Sequence, residues 1–194
     1  MGLFNKARFL LDITSTHDIV RRYFVVNGFD GALTMLGLIL GFLVSSPDDI
    51  SVILNVCLGA AIALGMSGLS SAYISEHAER RHALGKLQQA MVSDLQDSAH
   101  AEASQWVPLL IAMVNGLAPL IISVVILSPL WLSIAGFSLP IPPLYAAIVI
   151  AMLLIFLLGV FLGRIAGISW INSGLQTLVV AVITVMLIYL LVGN

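Results

Sequence analysis

The sequence predicts an all-α integral membrane protein with five transmembrane helices, and three observations support this fold class. Apolar residues make up 60% of the 194 residues and charged residues only 9%, whereas a soluble domain needs a charged surface. The apolar residues form five runs that each reach the roughly 20 residues needed to cross a bilayer. The eight lysine and arginine residues all fall outside these runs. A net charge of −2 also excludes the basic surface by which proteins bind nucleic acid.

The first segment, residues 1–22, is predicted to be cytoplasmic or interfacial. Apolar residues recur on one helical face of residues 3–16, which is typical of a helix lying in the membrane interface, and equally of a helix docked on a partner. The residues of this face are Leu3, Phe4, Ala7, Leu10 and Leu11.

The five predicted spans follow in order. Helices are expected because the runs lack the alternation of barrel strands. Spans one and two lie within 23–74, and spans three to five within 106–194. Between them, residues 75–105 form a cytoplasmic segment that is too short for a domain and is predicted to extend the helices, with a turn at Gly85 or at residues 92–94. The spans are 23–44, 50–74, 106–127, 144–163 and 171–192.

The positions of the basic residues predict the orientation. They lie before span one, between spans two and three, and between spans four and five, so these three segments share one side of the membrane. The positive-inside rule makes that side the cytoplasm, with the N-terminus inside and the C-terminus outside. The opposite connections, 45–49 and 128–143, hold no basic residue. The eight are Lys6, Arg8, Arg21, Arg22, Arg80, Arg81, Lys86 and Arg164.

A carboxylate stands inside the first predicted span. Asp30 lies seven residues past Tyr23, about 10 Å along the helix. A charged group at the centre of a membrane helix costs at least about 2.5–3.5 kcal/mol, and no span contains a lysine or arginine to pair with it. Two interpretations of Asp30 stay open. It is a structural residue that is protonated or bonded to groups such as Asn27, Asn115 or a serine, or it marks a site for a cation or a proton.

Small residues surround this carboxylate. Gly28 and Gly31 flank Asp30 and would let another backbone approach. Further along the span, Gly37 and Gly41 form a GxxxG pair, which is a packing pattern of membrane helices. The first span is therefore predicted to make close helix–helix contacts.

The second and third spans offer further ligands. Met66 and Ser70 are one turn apart in span two, and a thioether beside a carboxylate favours a borderline or soft divalent metal over Ca²⁺ or Mg²⁺. Without that neighbouring carboxylate, a methionine in a span is more commonly core filler, and this alternative stays open for Met66. In span three, Asn115 precedes Pro119, where a kink is predicted.

Three stretches resemble the vacuolar iron transporter family. "VVNGFDGALTMLGLILG" resembles its first helix, "GAAIALGMSGLSSAYISEHAER" its second, and "FLGRIAGISWINSGLQTLVVAVITVMLIYLLVG" its last two. The resemblance covers most of the chain. It implies a homodimer through helix one, with a metal path between the protomers that exports Fe²⁺, and often Mn²⁺, from the cytosol in exchange for protons.

The resemblance also implies roles for individual residues. Asp30 matches the family's midmembrane aspartate and Met66 its methionine, although alignment on Tyr73 would put Gly68 there instead. Secondary oxygens would come from Asn27, Ser70 and Asn115. No tightly bound cofactor is expected, and the membrane would be the plasma membrane in a prokaryote or a vacuole-type membrane in a eukaryote.

The chain departs from the family in three places. Tyr23 stands where the family has a second acid, the stretch "NVCLGAAIAL" ahead of Met66 is apolar, and only about thirty residues replace a larger cytoplasmic metal-binding domain. These departures leave two alternatives open: a metal-sensing or scaffolding membrane protein, and a transporter of a different solute. No Ser–His pair, paired aspartates or HExxH motif lies within the spans, so no enzyme is expected.

The short cytoplasmic segment holds two acid-x-x-acid-x-x-His patterns. Three-residue steps keep each trio on one helical face, and carboxylates with an imidazole suit Fe²⁺, Mn²⁺ or Zn²⁺. A solvated helix face is the alternative, and His77 and Glu102 are weaker additions. The predicted ligands are Glu76, Glu79 and His82 in the first trio, and Asp94, Asp97 and His100 in the second.

Overall fold

The computed structural model describes residues 17–45, 49–91 and 98–192, and this part of the chain contains five α-helices. Each helix is long and apolar enough to cross a bilayer, which confirms the all-α, five-helix prediction and fits an integral membrane protein. The predicted interfacial helix within 3–16 lies outside the described residues. The helices are α1 (His17–Ser45), α2 (Ile50–Met91), α3 (Ala99–Ile134), α4 (Pro143–Ile165) and α5 (Trp170–Val192).

The helices α1 and α3 begin before the predicted spans, at His17 and Ala99, and two further differences concern the end of α3 and the cytoplasmic segment. α3 continues to Ile134, past the predicted end at 127, because Leu130 is fully buried and keeps this turn packed. The helix stops at Gly136, which has a φ of 87°. There the amide of Gly136 donates to Ser133 O and that of Phe137 to Leu132 O, which is the Schellman pattern of a helix C-terminus.

The second difference lies in the cytoplasmic segment. α2 is continuous over 42 residues, about 63 Å at 1.5 Å per residue, or about twice the thickness of a hydrocarbon core. Gly85 lies inside this helix, so the prediction of a turn there was wrong. The other predicted turn, at residues 92–94, lies outside the described residues.

The chain forms two compact units. Unit 1 comprises the described residues of Met1–Phe24 and Gly65–Leu117, and unit 2 those of Val25–Leu64 and Ala118–Asn194. The core of unit 1 is made mainly of small and branched side chains on α2 and α3, covered by the first turns of α1. Its fully or nearly fully buried members are Ala72, Ala103, Val107, Ile111 and Ala112.

Unit 2 is built on a buried stripe of α1. Ala32, Met35, Leu36 and Ile39 are completely buried, at the i, i+3, i+4, i+7 spacing of one helical face. They pack with residues of α2, α3 and α4 in one core. Lipid tails are as apolar as these side chains, so close packing rather than water exclusion would hold such a core together in a membrane.

Helices α4 and α5 pack closely through glycines. A methyl group built on Gly163 would lie 2.7 Å from Cβ of Ser173, and one built on Gly174 would lie 2.5 Å from the ring of Phe156. The opposite face of α4 is exposed, with Val149 60% accessible. One face of α4 thus packs against protein, and the opposite face is apolar and exposed.

Candidate cation site

Asp30 lies on the exposed face of α1, opposite the buried stripe of unit 2. Within the described part of the chain, its carboxylate accepts no hydrogen bond and forms no ion pair. Asn27 is half-buried one turn earlier on the same helix. Burying a lone charge in hydrocarbon is costly, so a carboxylate on an apolar helix needs a proton, a cation or a hydrogen-bond donor to neutralise it.

A cavity of about 190 Å³ lies beside Asp30. Two of its lining residues are polar, Asp30 and Thr177, and the rest are apolar side chains or glycine. The hydroxyl of Thr177 lies within donating distance of two carbonyls, Gly174 O at 2.8 Å and Ile155 O at 3.1 Å, and its oxygen can still accept from a water or bind a cation. The cavity is large enough for a divalent cation that keeps part of its water shell. Its lining residues are Val25, Val26, Phe29, Asp30, Leu158, Gly159, Leu162 and Thr177.

The glycines that flank Asp30 hold α1 against its neighbours. A methyl group on Gly31 would lie 2.8 Å from Cα of Pro119, and one on Gly28 would lie 3.5 Å from Ile122 and Leu158 side chains. The expected close approach of another backbone thus occurs at Gly31. It occurs on the packed face of α1, and this packing directs Asp30 outward.

The GxxxG pair lies on the same face as Asp30. Gly37 and Gly41 follow Asp30 by seven and eleven residues, which places all three within about 40° on the helix. A methyl group on Gly41 would meet nothing within 4 Å, and one on Gly37 only the tip of Ile188 at 3.7 Å. The face that carries Asp30 is therefore open at Gly41, whereas the tip of Ile188 lies over Gly37.

The predicted residues of the second and third spans lie in unit 1. The Met66 side chain is 58% exposed. Ser70 is exposed and its hydroxyl donates to Met66 O at 2.7 Å. Asn115 is buried, and its Nδ2 donates to Gly68 O at 2.6 Å, which ties α3 to α2. The sequence left either Met66 or Gly68 at the position of the family's methionine. Met66 has an exposed thioether, whereas Gly68 has no side chain and is covered by Asn115.

The first acid–acid–His trio does not converge on one point. Glu76 is buried, whereas Glu79 and His82 are exposed on the same helix. Among the described residues, no group of three His, Cys, Asp or Glu side chains could hold a metal ion. In the second trio, Asp94 and Asp97 lie outside the described residues, as does the His100 side chain, so that trio stays a prediction.

Glu76 has partners that the sequence did not indicate. Tyr23 Oη donates to Glu76 Oε1 at 3.3 Å, and Arg80 Nε lies 3.8 Å from Oε2. Tyr23 on α1 thus contacts an acid on α2. Glu76 and Tyr23 are 53 residues apart, so no local spacing could have paired them. Thr177 was missed for the same reason.

Comparison with known proteins gives one distant relative. The uncharacterized protein MJ0645 of Methanocaldococcus jannaschii is 29% identical over 173 residues, which cover 88% of this chain and 87% of that protein. No protein-family model matches the chain, and no solved structure matches it. The class supported by the fold is therefore an integral membrane protein with five helices, and the vacuolar iron transporter resemblance stays a prediction.

Proposed function

We propose that the protein is a divalent transition-metal transporter that moves Fe²⁺ or Mn²⁺ out of the cytosol in exchange for protons. The observation that carries the proposal is Asp30, a carboxylate on an apolar helix with no partner in the described chain and a cavity beside it. A carboxylate in hydrocarbon needs a proton or a cation to neutralise it. Binding of one then displaces the other, which is the basis of exchange.

The uncovered face of α1 supports a homodimer. Asp30, Gly37 and Gly41 share this face, and a second copy of α1 can approach closely where glycines replace side chains. Pairing there would bring two carboxylates towards one another and would complete a site that each chain holds only in part. The proposed homodimer through helix one, which the resemblance implies, thus accounts for the exposed acid.

The available ligands favour a transition metal. The carboxylate of Asp30 and the hydroxyl of Thr177 are hard oxygen ligands in unit 2. Met66 belongs to unit 1, where its thioether is exposed, and it is the resemblance that implies this thioether as a soft ligand. Carboxylate oxygens alone suit Ca²⁺ and Mg²⁺, whereas added sulfur shifts preference towards Fe²⁺ and its neighbours.

Tyr23 favours a second candidate, a transporter of another solute on the same helices. Tyr23 stands where the resembling family has a second acid on helix one, and its hydroxyl donates to Glu76. A metal-sensing scaffold has less support, because the first trio is split between a buried and an exposed side.

Metal uptake into proteoliposomes tests the proposal. Purified wild type and Asp30→Asn would be reconstituted, and Fe²⁺, Mn²⁺, Co²⁺, Zn²⁺ and Ca²⁺ presented separately. We expect flux of Fe²⁺ or Mn²⁺ that Asp30→Asn abolishes while the protein stays folded. Asp18→Asn is the matched control, since Asp18 is exposed at the start of the same helix and pairs with Arg21. Undiminished flux in Asp30→Asn would remove Asp30 from the mechanism.

A further inference from the structure

Unit 1 contains a second and larger cavity, of about 560 Å³, between α2 and α3. It is separate from the Asp30 cavity, which lies in unit 2. Its described lining residues carry one positive charge, an imidazole, amides and a hydroxyl, and none of them is an aspartate or glutamate. They are His77, Arg81, Leu84, Gly85, Gln88, Ala101, Ser104 and Gln105.

Arg81 supplies the charge. The preceding residue, Arg80, lies 3.8 Å from the Glu76 carboxylate, but Arg81 forms no ion pair or hydrogen bond with any described residue. Arg81 is exposed, and it lines the cavity. A guanidinium presents a planar set of donors that matches the oxygens of a phosphate or carboxylate group.

His77 supplies a second donor. Its ring stacks on Tyr73, with centroids 5.6 Å apart, which fixes the plane of the imidazole. Nδ1 is buried and has no hydrogen-bond partner in the described chain, so a hydrogen at Nδ1 would be left unsatisfied. The favoured neutral tautomer carries the hydrogen on Nε2, and this nitrogen can donate to a ligand. Donors with no aspartate or glutamate among the described lining residues favour an anion as the ligand.

The cavity lies at the predicted membrane surface. Its α2 residues, 77–88, directly follow the predicted end of span two, and its α3 residues, 101–105, directly precede span three. Trp106, the first residue of span three, is 54% exposed, as in the aromatic belts at membrane–water interfaces. The positions of the basic residues predict that this surface is on the cytoplasmic side, where anionic lipid headgroups are concentrated.

We propose that this cavity binds the phosphate group of an anionic phospholipid of the cytoplasmic leaflet, with Arg81 and His77 as donors. Free phosphate has the same recognition chemistry, but the cavity is of the size of drug-sized ligand sites, and Leu84 and Ala101 give it an apolar side that suits glycerol and acyl carbons. The proposal rests on the membrane orientation of the proposed function and not on metal transport.

Native mass spectrometry of the purified protein in detergent tests this lipid site. Phosphatidylglycerol and phosphatidylcholine would be titrated against wild type, Arg81→Gln, Arg81→Lys and Arg164→Gln. Arg164 is the matched control, because it is exposed and is predicted on the same membrane side. We expect wild type to bind phosphatidylglycerol at least about tenfold more tightly than phosphatidylcholine, which is the effect of one charged hydrogen-bond partner. Arg81→Gln should lose this preference, Arg81→Lys should keep part of it, and Arg164→Gln should keep all of it.

Three results would overturn the lipid site. Wild type could show no preference between the lipids, or Arg81→Gln and Arg164→Gln could reduce binding equally, which would mean a nonspecific charge effect. In a parallel thermal-unfolding series, inorganic phosphate alone could stabilise wild type as much as phosphatidylglycerol does, which would assign the site to a free anion. Asp30→Asn should bind lipid as wild type does, so a failure of metal transport would not be mistaken for a failure of the lipid site.

Discussion

The buried carboxylate of Glu76 is stabilised by two partners, Tyr23 and Arg80. Glu76 is 7% exposed, and a buried carboxylate is costly unless it is hydrogen-bonded. The phenol of Tyr23 and the guanidinium of Arg80 meet its two oxygens separately. Asp30 has no such pair of donors in the described chain. Among the described residues, Glu76 therefore has hydrogen-bonding and charged partners, whereas Asp30 has none.

Tyr23→Phe should therefore destabilise the protein. The substitution removes one donor while Glu76 stays buried, and a lost hydrogen bond to a charged group costs about 1.5–3 kcal/mol. Denaturation in detergent, followed by circular dichroism, would measure the free energy of unfolding. Tyr189→Phe is the control, because Tyr189 is 52% exposed and donates to no described residue. Equal stabilities of the two variants would show that the Tyr23–Glu76 contact contributes nothing.

Helix α2 begins with a side-chain cap. Asp49 Oδ1 accepts hydrogen bonds from Ser51 N at 2.8 Å and from Ser51 Oγ at 2.7 Å. These bonds hold the pKa of Asp49 below its ordinary value, because they favour the charged carboxylate. A carboxyl group whose pKa is lower in the folded than in the unfolded state stabilises the fold in full above the unfolded pKa. That contribution is lost as the pH falls through the folded pKa.

Asp49→Ala should accordingly lower the melting temperature at pH 7 and have a smaller effect in acid. The difference from wild type should be constant from about pH 7 to pH 5 and should shrink below about pH 4, where the unfolded aspartate becomes protonated. Differential scanning calorimetry between pH 3 and pH 7 would follow this difference. A gap that widens towards low pH would contradict the assigned cap.

Helix α1 has glycines on two faces with different surroundings. The space beside Gly31 is occupied by Pro119, whereas no described atom lies within 4 Å of a Cβ built on Gly41. Gly41→Leu should therefore weaken the proposed dimer at least about tenfold and leave the protomer folded, because a Cβ at this position meets no described residue within 4 Å. Cross-linking in detergent over a range of protein concentrations would measure dimerisation. Gly59→Leu, at an equally open glycine of α2, should leave the dimer intact; if both variants dimerise normally, the interface lies elsewhere.

The whole chain should cross the membrane with the long end of α2 in the cytoplasm. Gln89→Cys near that end should be shielded from an impermeant maleimide in intact cells, and Ser138→Cys between α3 and α4 should be labelled. Wild type is the control, since its lone Cys57 is buried and should stay unlabelled. Labelling of Gln89→Cys from outside would show that the orientation is the opposite of the predicted one, and the proposed direction of transport would then be reversed as well.

The sequence predicted the number of helices but not all their ends. Five apolar runs suffice for five helices, because length and hydropathy determine a span. The end of α3 depends on the burial of Leu130 and on the left-handed conformation of Gly136. The sequence did not indicate this end, because Ser128 and Pro129 are typical of the start of a loop. Asp30 could be singled out because a carboxylate is rare in an apolar run. The cavity beside it depends on Thr177, whose proximity arises only from packing.

The most direct test of the central claim is to follow metal and protons together in vesicles that hold wild type or Asp30→Asn. In the proposed mechanism a cation is exchanged for a proton at Asp30. We expect that Fe²⁺ or Mn²⁺ moving one way drives protons the other way in wild type, and that Asp30→Asn loses both movements. Metal flux that persists in Asp30→Asn, with protons still moving against it, would show that the exchange does not take place at Asp30.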